Sequence, residues 1–178
     1  MERIRCPWCL GDAAYINYHD EEWGLPVTED QKLFEVLILD GAQAGLSWIT
    51  ILKRRPGYRD AFSGLDPEKI AGYGEKDVAR LMGDAGIIRN KRKILSAIEN
   101  ARGYLALMEG PGFSSWLWDW VDGKPIIHRY KTLAEIPAST ELSARISREL
   151  KNRGFSFVGP TIVYAFMQAV GMVNDHLL

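Results

Sequence analysis

An acid falls where a helix would bury it. Leu33, Leu37, Asp40 and Ala44 stand at i, i+4, i+7 and i+11, the spacing of one helix face. A carboxyl on such a stripe is costly unless something polar meets it. Small residues and a terminal aromatic follow, Leu39-Asp40-Gly41-Ala42-Gln43-Ala44-Gly45-Leu46-Ser47-Trp48, which suits a tight pocket or a closely approached backbone. Periodicity alone leaves two readings open. Either Asp40-Gly41 ends the helix as a turn, or Asp40 is the polar floor of a binding pocket.

A second set of residues could hold a metal. The only cysteines are Cys6 and Cys9, in the run Cys6-Pro7-Trp8-Cys9. A redox pair of the thioredoxin kind needs a strand before it, and only five residues precede Cys6. Two inert thiols are possible. Half of a zinc site is the better reading, because His19 and His176 add two imidazoles to the two thiols. The gap from His19 to His176 fits no sequential finger pattern.

A third set could grip phosphate. Val78, Leu81, Met82 and Ala85 line a helix face that stops at Gly86. After Ile87-Ile88-Arg89-Asn90, a long helix carries Ile94, Ile98, Ala101, Leu105 and Met108 on one stripe and opens with Lys91-Arg92-Lys93. The start of that second helix would offer outward N–H groups, positive dipole and basic side chains to a phosphate. The plainer alternative is a solvated basic first turn on an ordinary helical hairpin.

The elements that must position these groups read as helices. Thr28-Glu29-Asp30-Gln31 matches a capping box and opens a helix through Leu39, whereas Tyr15 to Gly24 lacks a clean amphipathic pattern and reads as irregular. Ser47 to Lys53 reads as a buried helix ending near Arg55-Pro56-Gly57, and Asp66-Pro67-Glu68 caps a short one. Phe113 to Val121 is a short helix with a tryptophan-rich core face, and Thr132 to Glu135 is another capping box. Leu142, Ile146 and Leu150 face inward on a helix ended by Gly154, and Thr161 to Val170 is nearly free of charge and buried. No segment alternates with period two for long enough to make a strand, so the class is all-α.

Composition bounds the possibilities. The chain has 178 residues, enough for one domain or two lobes sharing a core. It is 47% apolar and 25% charged with a formal net charge of −1, so a nucleic-acid surface must be a local patch. No run reaches membrane-span length, and Met1-Glu2-Arg3-Ile4-Arg5 lacks a signal-peptide core, so an intracellular, cytoplasmic location is the expectation. Six tryptophans and seven tyrosines leave room for stacking surfaces beyond the core.

Tyr15 to Gly24, Ala42 to Thr50, Asp84 to Arg89, Arg153 to Gly159 and Phe166 to His176, in this order, resemble the 3-methyladenine DNA glycosylase I family. The motifs are long and span almost the whole chain. The resemblance implies a monofunctional helix-hairpin-helix glycosylase that acts as a monomer on double-stranded DNA. It would hydrolyse the N-glycosidic bond of 3-methyladenine and leave an abasic site, with no membrane partner. A non-catalytic helix-hairpin-helix module binding damaged DNA, or a structural zinc protein, would be the alternatives.

By similarity, Tyr15, Tyr18, Trp23 and Trp48 would wall the base pocket with Gln43 nearby, and Asp40 would be the catalytic and recognition acid. Leu46 would be the wedge that fills the vacated stack, and Gly86, Ile88, Arg89, Lys91 and Lys93 would meet the DNA backbone. The family usually carries Glu where this chain has Asp40, which retracts the carboxyl by about 1.5 Å, one carbon–carbon bond; a bridging water or a small helix shift would restore contact. The family also ties its termini together with a structural zinc. Here Cys6, His19 and His176 match three ligands, with Cys9, water or a residue beyond Leu178 as the fourth. The expected organisation is a helix-hairpin-helix lobe over about 28–110 and a zinc-tethered lobe from about 1–27 and 111–178.

Overall fold

Helices carry the fold, as the period of the apolar residues predicts. The computed structural model describes residues 4–178, so Met1, Glu2 and Arg3, on which part of the signal-peptide reading rests, lie outside the described residues. The order is α1 (Ala13–Glu21), α2 (Asp30–Gln43), α3 (Trp48–Ala61), α4 (Pro67–Ala71), α5 (Glu75–Met82), α6 (Lys91–Met108), α7 (Phe113–Asp119), α8 (Glu141–Asn152) and α9 (Pro160–Ala169). Two two-residue strands, β1 (Ile126–Ile127) and β2 (Val173–Asn174), pair in parallel with Ile126 opposite Val173. So short a pairing leaves no alternation for a sequence to display.

α2 is the hub, in contact with α3, α6, α7 and α9. Leu33, Phe34 and Leu37 are fully buried on it, and Asp40 lies on the same stripe. The helix runs through Asp40-Gly41 to Gln43, which removes the turn reading of that pair. Its start differs from expectation too. Glu29 is the N-cap without a side-chain bond, and Asp30 Oδ1 instead accepts from the Ser114 N–H at 2.7 Å, joining α2 to α7.

Two other boundaries move. Residues 13–21 form α1, capped by Asp12, whose Oδ1 accepts from the N–H groups of Ala14 and Tyr15. The helix hides from pattern reading because its aromatic residues face a cavity rather than a solid core. α3 likewise continues through Pro56 and Gly57 to Ala61. A β-carbon at Gly57 would collide with the Gly86 carbonyl, so this glycine seats the α5–α6 hairpin directly against α3. Tyr58 secures the seat, its hydroxyl accepting from the Ile88 N–H at 3.2 Å.

The expected zinc-binding lobe is corrected. Cys6, His19 and His176 do converge, yet among the described residues no group of three or more His, Cys, Asp or Glu is placed to hold a metal ion. The reason is where the imidazole nitrogens point. His19 Nε2 accepts from the Cys6 N–H at 3.3 Å, which puts its proton on Nδ1, 2.9 Å from Asp20 Oδ1. His176 places Nδ1 at 2.9 Å from Asn174 Oδ1 and Nε2 at 3.3 Å from the His19 carbonyl. All four nitrogens therefore have partners within the chain, and a zinc-tethered lobe is not supported among the described residues. The termini meet instead through these bonds and through rings, with His176 centred 4.7 Å from both His19 and Trp23.

Gly171 closes the same junction. Its φ is +74°, and a β-carbon there would lie 2.5 Å from the Leu25 carbonyl carbon and 2.6 Å from Pro26 N. The Val27 N–H donates to the Val170 carbonyl at 2.9 Å beside it. Gly171→Ala is therefore expected to destabilise the protein by about 2–5 kcal/mol, from backbone strain plus overpacking. Urea unfolding would measure it, and a loss under 1 kcal/mol, on the order of a routine surface change, would refute the close approach.

Candidate active site

A cavity of about 350 Å³, within the range of small-ligand sites, opens beside the last turn of α2. α1 contributes Tyr15 and Tyr18, the turn after it Trp23, α2 Asp40 and Gln43, and the first turn of α3 Trp48. The structure thus brings together all six residues expected in the pocket. The rings form a connected wall: Tyr18 and Trp48 lie 5.5 Å apart between centroids.

Trp8, absent from the sequence-derived set, sits at the centre of that wall. Its ring is 4.9 Å from Tyr15 and 5.0 Å from Trp23. The available signal was an aromatic between Cys6 and Cys9, read only for its flanking thiols. The far wall was also missed. It comes from Leu133, Ile136, Pro137 and Ala138 and from α9, where Thr161, Tyr164, Ala165 and Gln168 form one helical stripe. Tyr164 and Gln168, polar residues on an apolar helix, were the signal there. Both are held from behind by the buried Asp175, whose Oδ2 accepts from Tyr164 Oη at 2.6 Å and Gln168 Nε2 at 2.9 Å. His128 Nδ1 lies 2.6 Å from the other oxygen of Asp175.

Asp40 is 3% exposed. Its Oδ2 and the indole Nε1 of Trp48 are buried without a hydrogen-bond partner in the protein. Native structures rarely leave such groups unmet, because each costs about 1–3 kcal/mol. Burial alone pushes the Asp40 carboxyl well above the ordinary carboxylate range. Burial first, and the Asp40 charge second, push the Tyr18 phenol well up. Glu22 differs sharply: Arg55 meets it with two bonds of 2.7 and 2.9 Å and pulls its pKa down. The pocket therefore keeps one uncompensated acid among aromatic faces, an arrangement that favours a flat, cationic ligand.

The α5–α6 hairpin divides the residues expected at DNA. Arg89 and Lys91 are exposed at the start of α6, next to the exposed Arg92. The Gly86 N–H donates to Asp84 Oδ1 at 2.7 Å and that of Ile88 to Tyr58, so these two amides are engaged internally. Lys93 turns inward, away from the surface patch. Its Nζ donates to the carbonyls of Ala42 at 2.8 Å and Ala44 at 2.6 Å. Leu46, 39% exposed, stands in the turn between α2 and α3 near the cavity.

An aromatic cavity with a buried acid, next to a helical hairpin that opens a basic helix, is the arrangement expected of a helix-hairpin-helix DNA glycosylase. A family model described as methyladenine glycosylase matches residues 8–178, and the chain belongs to that family. It is 52% identical over 175 residues to the DNA-3-methyladenine glycosylase 1 of Escherichia coli, covering 98% of this chain and 94% of the relative. A crystal structure of a 3-methyladenine DNA glycosylase I superposes with a TM-score of 0.95 at 50% identity, covering 97% of this chain and 96% of the other. The Staphylococcus aureus enzyme, solved to explain its recognition of 3-methyladenine, superposes at 0.94 with 36% identity, covering 97% of this chain and 93% of that one.

Proposed function

We infer that this cavity receives 3-methyladenine extruded from alkylated DNA and that the chain hydrolyses the bond joining that base to its sugar. The observation that carries the reading is the uncompensated Asp40 carboxyl facing an aromatic box. Methylation at N3 gives the nucleotide a formal positive charge, so the base leaves neutral without being protonated first. Water adds its oxygen to C1′ and releases a proton, while the electron pair of the glycosidic bond moves into the base and cancels its charge. The products are a free base and an abasic sugar.

Each part of the chain then has a task. Tyr15, Tyr18, Trp23 and Trp48 hold the ring system by stacking, worth about 0.5–2 kcal/mol per cation–π contact. Asp40 accepts from the exocyclic amine and answers the charge of the base, and the indole N–H of Trp48 offers a donor beside it. Arg89 and Lys91 position the DNA backbone without reading its sequence. Leu46 occupies the gap in the base stack. The cavity is lined by residues of one chain, which supports action as a monomer, and a DNA substrate supports a cytoplasmic location.

Duplex DNA treated with a methylating agent tests this reading. The purified protein is expected to release 3-methyladenine and leave alkali-labile sites, and to leave untreated DNA intact. A folded protein that retards methylated DNA on a gel yet releases no base would be a binding module, and the catalytic reading would fall.

A further inference from the structure

α2 ends at Gln43, and its terminal carbonyls need partners. The turn beyond it supplies some of them: the Ala44 N–H donates to Gly41 O at 3.3 Å and the Leu46 N–H to Gln43 O at 2.7 Å. The carbonyls of Ala42 and Ala44 are met instead by Lys93, a residue about 50 positions away, at 2.8 and 2.6 Å. Lys93 belongs to the first turn of α6, whose cap Asn90 accepts from the Lys93 N–H at 3.1 Å. One side chain therefore joins the start of the hairpin helix to the end of the helix that carries Asp40. A cation at a helix C-terminus also complements its dipole. Burial lowers the pKa of this ammonium, consistent with a strut rather than a solvated surface charge.

We propose that Lys93 is a positioning residue which ties the hairpin to the carbonyl end of α2, setting Asp40, Gln43 and Leu46 relative to bound DNA. This rests on the excision reading above. Gly45, with a φ of +78°, gives the turn a sharp bend, and the two Lys93 bonds hold it on the side that leads to Leu46. When Arg89 and Lys91 engage a backbone, the strut transmits that placement to the pocket. A lysine contacting phosphate would act differently, through affinity and its dependence on salt.

Salt separates the two roles. Neutralising one phosphate contributes about one to the slope of log affinity against log salt. Lys91→Met is expected to lower that slope by about one, and Lys93→Met is expected to leave it unchanged. Single-turnover excision at saturating Lys93→Met should nevertheless fall by about ten- to a hundredfold, the effect of misplacing a reacting group by about an ångström. Lys93→Cys supplies a second variant. Treatment with 2-bromoethylamine rebuilds a lysine-length ammonium at that position, while the native Cys6 and Cys9 are buried at 1% and 0% exposure. Excision should fall in the untreated variant and return after alkylation, with identically treated wild type as the reference. Wild-type excision by Lys93→Met, a slope reduced by one, or no recovery in alkylated, folded Lys93→Cys would each overturn the strut. Failure of wild type to excise at all would instead overturn the excision reading.

Discussion

Asp40→Asn is expected to lower excision of 3-methyladenine by about a hundred- to a thousandfold, the usual loss when a preorganised electrostatic partner is removed. The amide keeps the size and can still accept one hydrogen bond, but it cannot answer the charge of the base. Stability should move the other way, and with a definite pH dependence. The folded pKa of Asp40 lies well above its ordinary value of 3.8. Below that value both folded and unfolded chains hold the proton, and the burial is least costly. As pH rises above it, the unfolded chain releases the proton while the folded chain retains it, so wild type loses stability until the folded pKa is passed. Asparagine never titrates. The stability of Asp40→Asn relative to wild type should therefore grow from about pH 4 upward, read by urea unfolding at a series of pH values. The affinity of wild type for the cationic nucleotide should rise over the same window, since binding favours the ionised acid. Unchanged excision in the variant, or a pH-independent stability difference, would remove Asp40 from the chemistry.

The second large effect is expected at Gly57. Alanine in place of a helix-interior glycine ordinarily stabilises by about 0.5–1 kcal/mol. Here the added methyl would collide with the Gly86 carbonyl, which is backbone and cannot rotate away. α3 and the hairpin must separate, straining the bond from the Ile88 N–H to Tyr58. Gly57→Ala should therefore lose about 2–4 kcal/mol, in the range of overpacked cores. DNA affinity should fall at least about tenfold, roughly 1.4 kcal/mol, because Arg89 and Lys91 ride on the displaced segment. Unfolding and DNA-binding titrations on one preparation measure both. A stabilised variant with native affinity would mean that α3 and the hairpin do not touch at this glycine.

These expectations show which parts of the molecule were legible in the chain and which were not. Helices with dense local signals, such as α6 with Ile94, Ile98 and Ala101 and α8 with Leu142, Ile146 and Leu150, follow from neighbours three and four residues apart, and a sequence displays those directly. The pocket residues were legible through motif resemblance rather than through periodicity. On spacing alone, Asp40-Gly41 could have ended a helix. It continues to Gln43, and Lys93 meets from another helix the carbonyls of Ala42 in its last turn and of its C-cap Ala44.

Cys6, His19 and His176 make the same point in reverse. Residue types alone suggested a shared metal, and the fold does bring the three together. Whether they can ligate depends on the direction of each lone pair, and here the imidazole nitrogens meet the Cys6 N–H, Asp20, Asn174 and the His19 carbonyl. Trp8 and the α9 stripe were invisible as pocket walls because a cavity lined by several elements has no one-dimensional period. The sequence by itself determined the helical class, the family and the acid to test first. Only tertiary structure decided that Asp40 lacks a counter-charge, that Lys93 faces inward and that Gly57 seats the hairpin. Those facts concern distances between residues far apart in the chain, where local preference has no reach.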